Sequence, residues 1–168
     1  MIKSMKNIAI ILFLFASAGA YGQFYPFEAG LRGGYSSGFT FRVNIEEDIS
    51  YEAQLVYRNN GAIATMLRQN HVEMKMVQNG TWEFIYGMGF HAGFYFTDSY
   101  RIFWKEIYYG QNLFTPVIGA DGYIGIDYSL DAIPVSFGLS FQPHMEISLM
   151  QIFGINLWDF GVHVRYKF

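Results

Sequence analysis

His144, Glu146 and Ser148 stand at alternate positions, and a histidine, a carboxylate and a hydroxyl are the parts of an acyl-transfer site. On a β-strand, residues two apart point the same way but stand ~7 Å apart. That is beyond the reach of a direct hydrogen-bond chain. The histidines are His71, His91, His144 and His163, and none lies in a ligand spacing such as H-E-x-x-H. The chain has no cysteine, which excludes thiolate catalysis, cysteine-ligated zinc, a disulfide scaffold and a lipid anchor on cysteine. Gly87-Met88-Gly89 and Gly30…Gly33-Gly34 resemble phosphate loops only loosely. They fall inside strands at mostly even spacing and read as small residues on one face. A net charge of -3 and a pI near 5.7 leave no electrostatic footprint for nucleic acid. No cofactor is implied.

The elements that must position these groups are strands. The 168 residues suit one domain, and 52% hydrophobic against 15% charged residues excludes a disordered chain. The hydrophobic period is two. Trp158, Phe160, Val162, Val164, Tyr166 and Phe168 share one face, while Asp159, Gly161, His163, Arg165 and Lys167 share the other. The same alternation runs through 27–35, 39–45, 51–58, 82–96, 118–128 and 135–147. The segment 62–74 is the weakest, with an unclear phase around Arg68–His71, and is assigned as a strand by position. Glu46-Glu47-Asp48, Gln78-Asn79-Gly80 and Ser129-Leu130-Asp131-Ala132 read as tight turns. The longest connection is 97–115, and another runs from about 149 to 156. Short and long connections alternate, as they do in barrels that cross a membrane.

Residues 1–22 read as an export signal. Lys3 and Lys6 precede the apolar run Ile8–Phe15, and the small residues Ala16 to Ala20 follow it. The apolar core is short for a span of ~20 residues. Cleavage before Tyr21 or Gln23 leaves roughly 146 residues as the second unit, 23–168. Over eight strands that is about 18 residues per strand with its connection, which suits membrane strands of ~9–11 residues.

The apolar face is too rich in Phe, Tyr, Leu, Ile and Trp for the interior of a small barrel, whereas Gly, Ser and paired charges fit it. The expected fold is therefore all-β: an eight-stranded antiparallel up-and-down transmembrane barrel with grease outward and a filled polar lumen. Tyr35, Phe39, Trp82, Phe96, Tyr128, Trp158, Tyr166 and Phe168 are placed as interfacial girdles.

The signal-like N-terminus, the eight alternating strands and the terminal Val162-His163-Val164-Arg165-Tyr166-Lys167-Phe168 resemble the small outer-membrane β-barrel proteins of Gram-negative bacteria, of the OmpX/OmpA type. The resemblance covers the whole chain after the signal. It implies an exported, monomeric outer-membrane protein surrounded by lipid, including lipopolysaccharide. It also implies that Val164, Tyr166 and Phe168 belong to an assembly signal read by the barrel-insertion machinery.

Arg32, Arg42, Glu52, Asp121, His163 and Arg165 are expected at similar mid-heights in the lumen, paired with one another because isolated buried charges are costly. The long connection carries Tyr100, Arg101, Phe103, Trp104, Tyr108 and Tyr109, residue types favoured at contact hot spots. Two readings of it stand: strand extensions whose aromatics rest on lipid headgroups, or a surface that contacts a ligand or partner. The expected role is structural or cell-surface interaction, including adhesion, without catalysis. The alternative is a lipid-modifying enzyme of the lipid A deacylase or acyltransferase type.

Overall fold

The computed structural model describes residues 25–74, 80–102, 105–148 and 153–168, with backbone only for 97–113. The export segment 1–22 lies outside the described residues. Alternating polarity and a high content of aromatic and β-branched residues favour extended chain throughout, and every described element is a strand. They are β1 (Phe27–Gly34), β2 (Ser37–Asn44), β3 (Ile49–Arg58), β4 (Gly61–Met74), β5 (Gly80–Ile102), β6 (Lys105–Leu130), β7 (Val135–Phe141), β8 (His144–Ser148), β9 (Gly154–Asn156) and β10 (Phe160–Lys167).

All pairings are antiparallel, and the ring closes between β1 and β10 as a barrel of 8 strands. Two of those eight are interrupted. β7 and β8 both pair with β6 and form one broken strand. The break falls at Gln142-Pro143, because proline has no N–H to give to the ladder. Gly122 N donates to the Pro143 carbonyl at 2.8 Å, and Gln142 N donates to the Asp159 carbonyl at 2.8 Å, so the break is bridged. β9 and β10 form the last strand in the same way.

The strands are tilted and staggered. From Phe27, successive partners around the ring are Val43, Tyr51, Arg68, Met88 and Gly122. The path continues past Pro143 and Phe160 and arrives at Tyr35, just beyond the far end of β1. A closed sheet of tilted strands requires such an offset.

Within β4 the alternation runs unbroken from 61 to 69. Ile63, Thr65, Leu67 and Gln69 are buried, and Ala64, Met66 and Arg68 are exposed. Its phase was illegible because β4 inverts the rule of the other strands, with Ile63 and Leu67 inside and a cation outside. The turn between β3 and β4 is Asn59-Asn60 with φ of 49° and 57°, a left-handed pair that asparagine tolerates and that suits a two-residue hairpin.

The connection counted from 97 to 115 is a hairpin, in line with the reading of these residues as strand extensions. β5 runs to Ile102 and β6 starts at Lys105, so only 103–104 join them, and Phe103 and Trp104 lie outside the described residues. Tyr100 pairs with Ile107 and Arg101 with Glu106. The register slips between Thr97 and Ser99, where the partner changes from Leu113 to Tyr108. This stretch carries no clean two-residue alternation, so strand pairing beyond the barrel left no mark on its polarity pattern. Phe96 N reaches the Asn60 carbonyl at the tip of the β3–β4 hairpin. Beyond that point, β5 and β6 pair only with each other among the described residues. They form a two-stranded ribbon above the barrel wall.

The exterior of the wall is apolar. Leu31, Phe39, Met88 and Leu139 are 53%, 68%, 74% and 63% exposed. The interior is polar, with Arg42, Glu52 and Arg165 exposed by 1% or less. Two small apolar clusters share the interior: Val56, Ile63, Tyr95 and Val117, and Leu67, Ile85 and Tyr123.

Candidate functional site

The charged lumen divides into two clusters stacked along the barrel. The lower one, nearer Phe27 and Phe168, is built on Asp127 of β6 and Glu52 of β3. Asp127 accepts from Arg42 at 3.2 Å, Arg165 at 3.0 Å and His163 Nε2 at 2.7 Å. Glu52 accepts from Arg42 Nε at 3.1 Å, Arg165 at 3.0 Å and Gln54 at 2.8 Å. Arg42 also meets Glu28 at 3.3 Å, and Asn44 holds the other Glu28 oxygen at 3.1 Å. Five strands thus meet across the lumen. Each arginine is shared between carboxylates, the arrangement in which buried charge is tolerated.

The upper cluster joins the other end. Arg32 meets Asp159 at 2.8 Å and also donates to Ser140 at 3.3 Å. Arg58 meets Glu146 at 3.3 Å and donates to the Tyr95 hydroxyl at 2.9 Å, which in turn donates to Glu146 at 2.8 Å. His91 bonds Asp121 at 2.7 Å through Nδ1 and turns Nε2 toward Glu146 at 3.4 Å. Arg58 also lies 3.2 Å from His144 Nδ1, and the His144 ring stands edge-on to His91 at 5.6 Å.

The expected single network at one height is corrected. Arg42, Glu52, His163 and Arg165 do meet, but Arg32 belongs with Asp159 and Asp121 with His91. Heights counted from strand ends ignore the stagger, which displaces residues of equal rank on distant strands. Glu28, Arg58, Asp127 and Asp159 are the partners that sequence reasoning did not single out, and Glu146 was weighed there only for acyl transfer. All lie at inward phase in the alternation, so their direction was legible while their partners required register.

One local signal does mark the pairs. His163 and Asp127 sit on β10 and β6, with Gly138 of β7 opposite both. A side chain on Gly138 would collide with His163 Nε2 and Asp127 Oδ1. Gly119 lies in the same way between His91 and Glu146, and its Cβ would strike the His91 ring. An inward glycine with an ionisable residue opposite it on both flanking strands lets the two bridge over it.

His144, Glu146 and Ser148 all face inward and are buried, on the far side of the wall from the apolar exterior. Glu146 is engaged by Tyr95 and Arg58, and His144 faces Arg58. Val164 and Phe168 are exposed on the outer face, and Tyr166 is half-buried. The Phe168 ring lies 6.0 Å from that of Phe27 across the seam. Tyr100, Arg101 and Tyr108 lie on the ribbon by backbone register, and Tyr109 lies on β6 within the register slip.

On the outside, a shallow apolar trough of about 1050 Å³ crosses the wall over Leu31, Phe39, Ile126, Leu139 and Val162. Arg32 and His163 also line it, but their polar ends are held inside by Asp159 and Asp127. Among the described residues, no group of three or more His, Cys, Asp or Glu is arranged to hold a metal ion. No family model, curated protein or solved structure matches the chain.

Proposed function

We propose that this chain is an integral outer-membrane β-barrel whose ionic interior is structural and whose contacts with other molecules are made at the cell surface by the β5–β6 ribbon. The carrying observation is the reversed polarity of the wall, in which paired charges fill the interior while Leu, Phe, Ile and Met cover the exterior. Water rewards the opposite arrangement. Hydrocarbon demands this one, and it also demands a closed sheet, since open edges cannot be satisfied there. Phe27, Phe168 and the turn at 45–48 lie at one end and the ribbon at the other. In outer-membrane barrels the short turns face the periplasm and the longer connections face outward.

Two arginine scans of neighbouring positions test the membrane assignment. Leu139→Arg, on the exposed outer face, lowers the stability of the barrel in lipid by about 2–4 kcal/mol. Ser140→Arg, one residue on but inside, acts through packing against Arg32 and shows no dependence on bilayer thickness. Urea titration of both variants in vesicles checks this. A processed chain that stays dissolved without detergent overturns the assignment.

Surface contact is supported by the ribbon's backbone. Past Phe96 its two outer edges lack a neighbouring strand among the described residues, and free edges are templates for an added strand. Removing residues 99–108 leaves insertion intact and abolishes adhesion of expressing cells to host cells or matrix. Unchanged adhesion removes the ribbon from the proposal.

A further inference from the structure

Resting on the membrane reading above, we propose that Arg68 and Asn70 form a site for the phosphate of a phospholipid in the periplasmic leaflet. The strand β4 turns Arg68 outward, exposed between the buried Leu67 and Gln69. Arg32, Arg42, Arg58 and Arg165 each meet a carboxylate inside the barrel. Arg68 makes no ion pair with any described residue. Its cross-strand neighbours are Tyr51 on β3 and Met88 on β5. It is therefore a lone cation in an apolar wall.

A guanidinium facing hydrocarbon is costly at the midplane and much less so near the interface. Its long stem lets the charge extend toward the headgroups. The direction follows from the register. Asn70 is the next outward residue toward the turn end, opposite Ile49 and beside the 45–48 turn, where His71 N donates to the Asp48 carbonyl. Tyr86, opposite Asn70, and Tyr51, opposite Arg68, are both partly exposed, as interfacial tyrosines are. The guanidinium fork fits phosphate oxygens in pairs, and the Asn70 amide supplies a further donor.

A second copy of the chain does not supply the counter-charge as well. Glu73, the one exposed carboxylate on the described barrel strands, stands at inward phase opposite Glu83 at the turn end, so contact between two walls leaves Arg68 without a counter-charge in the apolar interface. A phospholipid brings its own anion.

Native mass spectrometry of the folded protein in dodecyl maltoside, with added phosphatidylglycerol or a diacylglycerol of the same chains, tests the site. The intact protein retains phosphatidylglycerol in preference to diacylglycerol. Arg68→Met retains about ten-fold less phosphatidylglycerol, the equivalent of one charge-assisted hydrogen bond. Arg68→Lys keeps most of the retention. Equal retention by Arg68→Met and the parent overturns the site, as does equal retention of diacylglycerol and phosphatidylglycerol. A shift from dimer to monomer on Arg68→Met, with lipid retention unchanged, overturns it in favour of a second copy. Heat-dependent gel mobility of every variant reports the barrel separately. A folded barrel indifferent to Arg68 refutes the lipid site alone, whereas a chain that never enters micelles refutes the membrane reading.

Discussion

Arg42→Met lowers the stability of the folded barrel by about 3–5 kcal/mol, the usual cost of removing one partner from a buried charge cluster. Methionine keeps most of the stem volume, so little of the loss is a packing defect. Arg42 is 1% exposed and meets Glu28, Glu52 and Asp127. Without it, Arg165 is the only arginine facing Glu52 and Asp127, and Glu28 keeps Asn44 but no cation. The measurement is equilibrium urea unfolding in micelles, followed by tryptophan fluorescence. A second substitution separates charge from shape. Glu28→Gln destabilises the parent, because it strips Arg42 of a carboxylate, yet restores part of the loss in the Arg42→Met background. If the two losses simply add, the cluster is not acting through charge balance.

Gly138→Val produces a loss of similar size by a different route. The new side chain occupies the space through which His163 Nε2 bonds Asp127 at 2.7 Å. Asp127 also holds Arg42 and Arg165, so displacing its carboxylate loosens the whole lower cluster. About 3–5 kcal/mol is expected, since a buried ion cluster is broken while its charges remain. Gly33→Ala is the control, because its added carbon has Val162 Cγ2 as its nearest neighbour at 4.0 Å. Its effect should stay near the ±0.5 kcal/mol typical of exposed sites. A Gly138→Val barrel as stable as the Gly33→Ala barrel would show that the bridge over glycine contributes nothing.

How legible was all this? The barrel's strands were readable where one face was uniformly apolar, as from Trp158 to Phe168, because lateral polarity alone sets their phase. They were unreadable at Arg68–His71, where Leu67 lies inside and Arg68 outside. That residue pattern obeys a local requirement that no rule of period two contains. The ribbon was counted as a connection, with strand extension as one of its two readings, because strands that leave the wall have no buried face to enforce alternation. Inward direction was readable for Asp127 and Glu146, yet their partners were not. Which charges meet depends on the stagger around the ring, a property of all the pairings together and of no single segment. The bridges over Gly138 and Gly119 were present in the sequence as glycines at inward phase, but became recognisable only once their cross-strand neighbours were known.

The seam between β1 and β10 has a kinetic consequence. Phe168 N donates to the Phe27 carbonyl at 2.9 Å, and Phe27 N donates to the Phe168 carbonyl at 3.2 Å, so the ring is fastened by residues from opposite ends of the described chain. Until the last strand emerges, the first has no second neighbour, and no smaller ring of the same strands is available as a resting place. Loop-closure entropy must be spent almost in full before the final contacts repay it, which places folding at the slow extreme for a chain this short. Throughout that interval two naked strand borders and a greasy surface are presented to the surroundings, so the unclosed chain is exposed to aggregation for as long as the seam stays open.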